Sequence, residues 1–429
     1  MENLNSNVFQ KVGSGYNWVY HTAGHIIEAR VSRIRESSNR LTSEIAILVD
    51  NRPIARSNPV LTSVSGLDAF WRKLARRIPP DKYEIDWEAY VEQLAARVID
   101  SHREGEPEIK IGDISIPDNV YWRIEPLLLA DQANVIFGPG GSGKSFIALW
   151  LSVLMDSEYI DTAHEITVTP GRVLYLDWET DSVEIASRVR ALQVGMGLEN
   201  YQSQILYRRC TLSLANEADR IKDIVDSNDV KMIVVDSLGL ATGGGLDEAN
   251  AVLDYFAALR WIGGTSLTIT HTNKEGHIFG SVYTLNCGRS IWEVQRSELN
   301  SDEESIDIGM FHKKVNVVSK QDPRGFEINF ADNMVTITAK DAMDIDIVTE
   351  KQSVPQLVYQ IVQREGPLSR GELLNRIADF KEEPPDKLKG AVRTAISRAI
   401  TKGSIVEIDD KLVIQTKFSD QQEGDQWKV

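Results

Sequence analysis

The sequence predicts an α/β protein: a central domain with a mostly parallel sheet, flanked by an N-terminal α+β domain and a C-terminal winged helix. Three observations carry this. Over residues 107–340, short and nearly continuous apolar strands alternate with helical stretches, the pattern of a sheet buried on both faces. Residues 1–106 instead alternate apolar and polar in runs joined by turn residues, as half-exposed antiparallel strands do. Residues 354–417 carry three helical stretches and then a hairpin, and 418–429 read as a polar, disordered tail.

In the N-terminal part, Tyr16, Trp18 and Tyr20 alternate, and Ile27, Ala29 and Val31 share a face opposite Glu28, Arg30 and Ser32. A run over 44–49 passes through Asp50-Asn51-Arg52-Pro53, a turn by composition, into 54–62. Two amphipathic helices follow. The first, 66–77, carries Leu67, Phe70, Trp71 and Leu74; the second, 86–100, carries Trp87, Val91, Leu94, Ala95 and Val98. No catalytic constellation shows here, and the aromatics read as core. A polar linker spans 102–117.

The central strands are read at 133–137, 173–177, 205–207, 232–236, 266–271, 306–311 and 326–330. A second linker, rich in Asp, covers 340–353. Beyond it, helices are expected at 355–364 and, after the cap Ser369, at 370–380. Pro384-Pro385 breaks the chain before a helix over 387–402, which Gly403 stops. A hairpin then turns at Asp409-Asp410.

Composition narrows the function classes. With 42% hydrophobic and 26% charged residues, the 429-residue chain can bury real cores, which excludes a wholly disordered protein or a disulfide-stapled miniprotein. Lys and Arg number 47 against 63 Asp and Glu, a net charge of −16. The overall field repels nucleic acid, so any such contact needs a local basic surface. Cys210 and Cys287 are the only cysteines, which suggests a reducing compartment and no structural zinc. The first residues lack a basic flank followed by an apolar core, and apolar stretches such as 146–155 are too short to span a bilayer. A cytoplasmic protein without a membrane partner is expected.

The strongest motif is Gly138-Pro139-Gly140-Gly141-Ser142-Gly143-Lys144-Ser145, a G-x-x-x-x-G-K-[ST] loop between an apolar strand and a helix. Its glycines let backbone N–H groups point inward around phosphates, Lys144 supplies positive charge to the β- and γ-phosphates, and the Ser145 hydroxyl ligates Mg²⁺. ATP and Mg²⁺ are therefore expected. Met232-Ile233-Val234-Val235-Asp236 places a carboxylate at the end of a buried strand, where it can orient the metal's water shell. The run 173–179 ends in Asp177-Trp178-Glu179. Glu179 is the favoured water-polarising group and Asp177 the alternative, and either can instead cap the helix that begins near Asp181. His271 ends a further strand, as a γ-phosphate contact or as an ordinary strand-end histidine.

These pieces, in this order, resemble the RecA-like ATPase superfamily and, more narrowly, the RepA type of hexameric replicative helicases of plasmids and phages. The matching residues are the loop 138–145, the Leu-Tyr-Leu-Asp-Trp-Glu run ending at Glu179, Val-Val-Asp-Ser at 234–237 and Thr-His-Thr-Asn-Lys at 270–274. Gly280-Ser281, leading on to Arg289, and Lys314-Val315-Asn316 add to them. The resemblance covers about 115–330. It implies a homo-oligomeric, hexameric ring with ATP between subunits: Lys144, Ser145, Glu179 and Asp236 act from one subunit and Arg289, as a finger, from the next, assisted by Lys314. It implies that His271 couples the phosphate to channel loops at 240–250 and 274–287, where Lys274 meets single-stranded DNA. Two features depart from the pattern. Thr272 follows His271 where this subfamily often has a second histidine, and the 240–250 loop carries Asp247 and Glu248. An ordinary surface ion pair stays open as an alternative for Arg289.

The helix at 387–402 holds Lys387, Lys389, Arg393, Arg398 and Lys402 with no acidic residue between its ends. As the third helix of a winged helix it would be the one that enters a major groove, and Lys387, Lys389 and Arg393 are the candidate DNA contacts. A basic face on a protein-docking module is the equal alternative. The competing functions are thus a replicative motor on DNA and a regulatory or adaptor ATPase without unwinding.

Overall fold

The computed structural model describes residues 7–12, 15–37, 39–105, 108–115, 122–159, 165–245, 248–273, 276–278, 282–297 and 304–415. They fall into two compact units, Met1–Tyr121 with Cys210–Met232 and Leu240–Gly264, and Trp122–Arg209 with Ile233–Gly239 and Thr265–Val429.

In the first unit, strands Val8–Val12, Gly15–Thr22, His25–Ser37, Arg40–Val49 and Arg52–Ser57 pair in sequence order as an antiparallel sheet. Strand alternation sends Trp18, Ile27, Ala29, Val31, Ile45 and Ile47 to one face, where all are buried. Helices Val64–Arg77 and Trp87–Glu104 cover that face with Phe70, Leu74, Trp87, Tyr90, Leu94 and Val98. Trp18 stacks on Tyr90 with ring centroids 4.5 Å apart and planes at 4°, a contact worth about 1 kcal/mol beyond area burial. Helices Leu214–Asn228 and Ala249–Ile262 belong to this unit and pack on each other.

The second unit is built on a nine-stranded sheet. Its spatial order is Leu206–Arg209, Arg172–Asp177, Val230–Asp236, Thr265–His271, Ala133–Gly138, Ser290–Arg296, Ser305–Val315, Arg324–Ala331 and Met334–Lys340. Ala133–Gly138 is parallel to both of its neighbours, and Arg172–Asp177 is parallel to Leu206–Arg209. The architecture is mixed α/β with a large sheet.

The last strands correct one expectation. The runs at 306–311 and 326–330 are strands, but they pair antiparallel, as does Met334–Lys340. A parallel return needs a crossover of about a dozen residues or more. The connections here are 297–304, 316–323 and the two-residue turn Asp332-Asn333, with Asn333 in the left-handed region at φ 58°. The segment expected as a linker at 340–353 is also ordered. Asp341 caps a turn at Ala342–Asp344, and Ile345 and Val348, around the short helix Asp346–Lys351, bury against Phe311. Asp341 serves as a cap and Asp344 pairs with Arg364, uses that composition alone cannot separate from linker chemistry.

At the C-terminal end, helices Val354–Glu365, Arg370–Lys381 and Pro385–Thr401 surround a core of Leu357, Ile361, Leu373, Ile377, Val392 and Ile396. Ser353 with Gln356, and Ser369 with Glu372, form capping boxes. Strands Leu368–Ser369, Lys411–Ile414 and Ile405–Ile408 make a small antiparallel sheet in that spatial order. Asp409 and Asp410, both at positive φ, close its hairpin. Among the described residues no helix is long and apolar enough to cross a membrane.

Candidate nucleotide site

Ala133–Gly138 delivers the chain to the loop, and helix Lys144–Ser157 takes it away. That helix is buried nearly all round from Ile147 to Met155, so its N-terminus is fixed by packing. Gly138 is required by close approach: a Cβ there would lie 2.0 Å from the Val294 carbonyl oxygen on the next strand. Gly141 and Gly143 sit at φ +71° and +83°, a region that L side chains rarely adopt. Open space surrounds Gly140, and Ser142 is buried beneath the loop.

The Lys144 ammonium donates to the carbonyls of Gly138 at 2.9 Å and Pro139 at 2.5 Å, with Ser142 Oγ at 3.4 Å. It is buried, and burial pulls its pKa down to about 8 against the opposing pull of Asp236 and Glu179.

Ser145 Oγ donates to Asp236 Oδ2 at 2.9 Å. A hydroxyl has one proton and two lone pairs, so this bond uses the proton and leaves the oxygen free to ligate a cation. Burial raises the pKa of Asp236, with Glu179 and Asp177 adding to it, and hydrogen bonds from Tyr175 and Ser145 oppose the rise. Among the described residues no cluster of three or more His, Cys, Asp or Glu can hold a metal by itself. The Ser145 hydroxyl beside the Asp236 carboxylate suits Mg²⁺, which keeps several waters and takes few protein ligands besides phosphate oxygens.

The two acids after 176 have different surroundings. Asp177 Oδ1 accepts from the N–H groups of Glu179 at 2.8 Å and Thr180 at 3.0 Å, and Oδ2 from Thr180 Oγ1 at 2.7 Å and the Tyr207 hydroxyl at 3.0 Å. Burial raises its pKa, but these four donors outweigh that and hold the carboxyl below its ordinary value. Asp177 is thus committed to shaping the turn. Glu179 is partly exposed; it accepts a short hydrogen bond from the Ser237 hydroxyl and lies 4.0 Å from His271 Nε2. His271 pairs in register with Gly138, which puts it beside the loop.

Lys144, Ser145, Glu179, Asp236 and His271 are therefore brought together. Arg289 is not. It stands exposed before Ser290–Arg296, its N–H bonded to the Ala133 carbonyl, at the far end of the strand that leads to the loop. Lys314 donates to the carbonyls of Leu285, Asn286 and Gly288 at 2.6, 3.0 and 2.9 Å, capping the helix Val282–Cys287 just before Arg289. Lys274, Gly280, Ser281 and Asp247 lie outside the described residues. Lys387, Lys389 and Arg393 are exposed on helix Pro385–Thr401.

Residue patterns missed Tyr175, Tyr207, Thr180 and Ser237. A tyrosine in an apolar strand reads as core, and its hydroxyl partner is set only by the neighbouring strand.

Residues 106–277 match a family described as AAA domain. That stretch includes the loop, Glu179, Asp236 and His271. No curated protein matches the chain. Among solved structures, a KaiC-like protein from the hyperthermophilic archaeon Pyrococcus horikoshii is 14% identical, with a TM-score of 0.38, and the alignment covers 50% of this chain and 93% of that one. The family match and the geometry of the loop, Ser145 and Asp236 together support a P-loop ATPase core.

Proposed function

We propose that the chain is an ATP-hydrolysing, homo-oligomeric RecA-like motor that acts on single-stranded DNA, of the kind that serves as a RepA-like replicative helicase or translocase of a mobile element. The observation that carries it is the position of Arg289. Its backbone lies at the level of Ala133, five residues before Gly138, and at 3.3 Å per residue that is about 17 Å from its own loop. A finger so placed is out of reach of its own loop, which supports service to the nucleotide of a neighbouring copy, with hydrolysis dependent on assembly. Glu179 positions the attacking water, and Lys144 and the loop amides hold the phosphates. Mg²⁺, when bound, neutralises charge on the β- and γ-phosphates. The C-terminal module, as a winged helix, presents Lys387, Lys389 and Arg393 to duplex DNA. Turnover measured against protein concentration, with and without single-stranded DNA, tests this; the rate per subunit should rise with both, and a rate indifferent to both would contradict it.

A second reading is an adaptor ATPase that docks DNA or a protein through the C-terminal module without unwinding. The 240–250 segment favours it, because it carries Asp247 and Glu248 and no cation. Strand displacement on a forked duplex separates the two.

A further inference from the structure

Resting on the ATPase reading, we propose that the Tyr175 hydroxyl is a positioning group for the site's metal, through its grip on Asp236. Tyr175 is fully buried midway along Arg172–Asp177. Its hydroxyl donates to Asp236 Oδ2 at 2.7 Å, the same oxygen that accepts from Ser145 Oγ at 2.9 Å. A carboxylate has two oxygens and can turn about its last torsion. Two donors converging on Oδ2 stop that rotation. Oδ1 is then the oxygen left for the water shell of a cation that Ser145 ligates. With Tyr175 alone removed, Ser145 can bond either oxygen, and the carboxylate no longer presents a fixed face. Tyr175 comes from a different strand than Asp236, so the arrangement is set by the sheet rather than by the loop.

The test uses the full chain loaded with ADP, and reads Mn²⁺ binding from the loss of the free-ion EPR signal. Tyr175→Phe deletes only the hydroxyl. Tyr207→Phe is the matched control, because it deletes a buried-edge hydroxyl bound to Asp177 on the neighbouring strand. Tyr175→Phe should weaken Mn²⁺ about tenfold, the usual effect of losing a group behind a metal ligand. It should leave fluorescent ADP binding in EDTA unchanged, and Tyr207→Phe should keep the wild-type Mn²⁺ constant. Equal Mn²⁺ constants in wild type and Tyr175→Phe, or an equal loss in both variants, would overturn the assignment. Wild type that binds no ADP would overturn the ATPase reading and this one with it. Should Tyr175→Phe fail to fold, Tyr175→Leu, matching the leucines at 174 and 176, reads the same constant.

Discussion

The backbone N–H of Arg289 donates to the carbonyl of Ala133 at 2.8 Å, at one end of the strand whose other end opens into the phosphate loop. The two residues are locked by the pairing of Ser290–Arg296 with Ala133–Gly138, in which Ser290 faces Asn134 and Glu293 faces Phe137. The arginine and the loop of one chain are thus held apart by a rigid strand. Lys314 stiffens the turn just before Arg289 by donating to three carbonyls there.

Glu179 and Asp177 should respond differently to loss of charge. Glu179→Gln is expected to lower kcat by about 10²–10³ while nucleotide still binds, as for loss of a general base. Asp177→Asn instead keeps one acceptor oxygen and turns the other into an NH2 group that cannot accept, so two of the four donors lose their partner, and it should lower the melting temperature as well as kcat. Single-turnover rates and thermal melts on both variants check this; a Glu179→Gln enzyme with wild-type kcat would contradict the assignment.

Much of this was legible in the chain. The loop 138–145 and the strand ending at Asp236 announce themselves because the phosphate chemistry fixes residue type and spacing. The chain favoured Glu179 over Asp177, but the surroundings that separate the two acids were not legible, since Tyr207 and Ser237 reach them from another strand and loop. The antiparallel end of the sheet was missed for a related reason: strand composition is alike in both senses, and only connection length distinguishes them.

His312 gives a pH prediction. It is buried and stacked on Trp292, with ring centroids 4.2 Å apart; its Nδ1 accepts from the Gln321 N–H at 3.1 Å and its Nε2 faces Ser290 Oγ at 3.1 Å. Burial, and then Lys320, pull its pKa down to about 4 from the usual 6.5, against a backbone hydrogen bond at Lys314. Between those values the unfolded chain binds a proton that the folded chain does not. Stability should therefore fall as pH drops from 6.5 towards 4, by about 1.4 kcal/mol per unit at most. Denaturant melts across that range should show a shallower fall for His312→Gln, and parallel curves would contradict the prediction.

The cations of the C-terminal module divide in two. Arg364, Arg370 and Arg376 pair with Asp344, Glu407 and Glu365. Lys387, Lys389 and Arg393 are exposed with no ion pair among the described residues. Reversing those three to Glu should weaken binding to duplex DNA, and the salt dependence of binding should flatten by about one unit of slope for each phosphate no longer neutralised. An unchanged slope with unchanged affinity would remove this helix as the DNA surface.

The most direct measurement mixes two dead enzymes. Lys144→Ala lacks the phosphate grip but keeps Arg289; Arg289→Ala lacks the finger but keeps the grip. Each should be nearly inactive alone. In a ring assembled from equal amounts, about one interface in four has both halves intact, so ATP hydrolysis should recover to roughly a quarter of the wild-type rate. A mixture as inactive as its parents, or an Arg289→Ala chain that hydrolyses ATP at the wild-type rate, would contradict a site shared between copies.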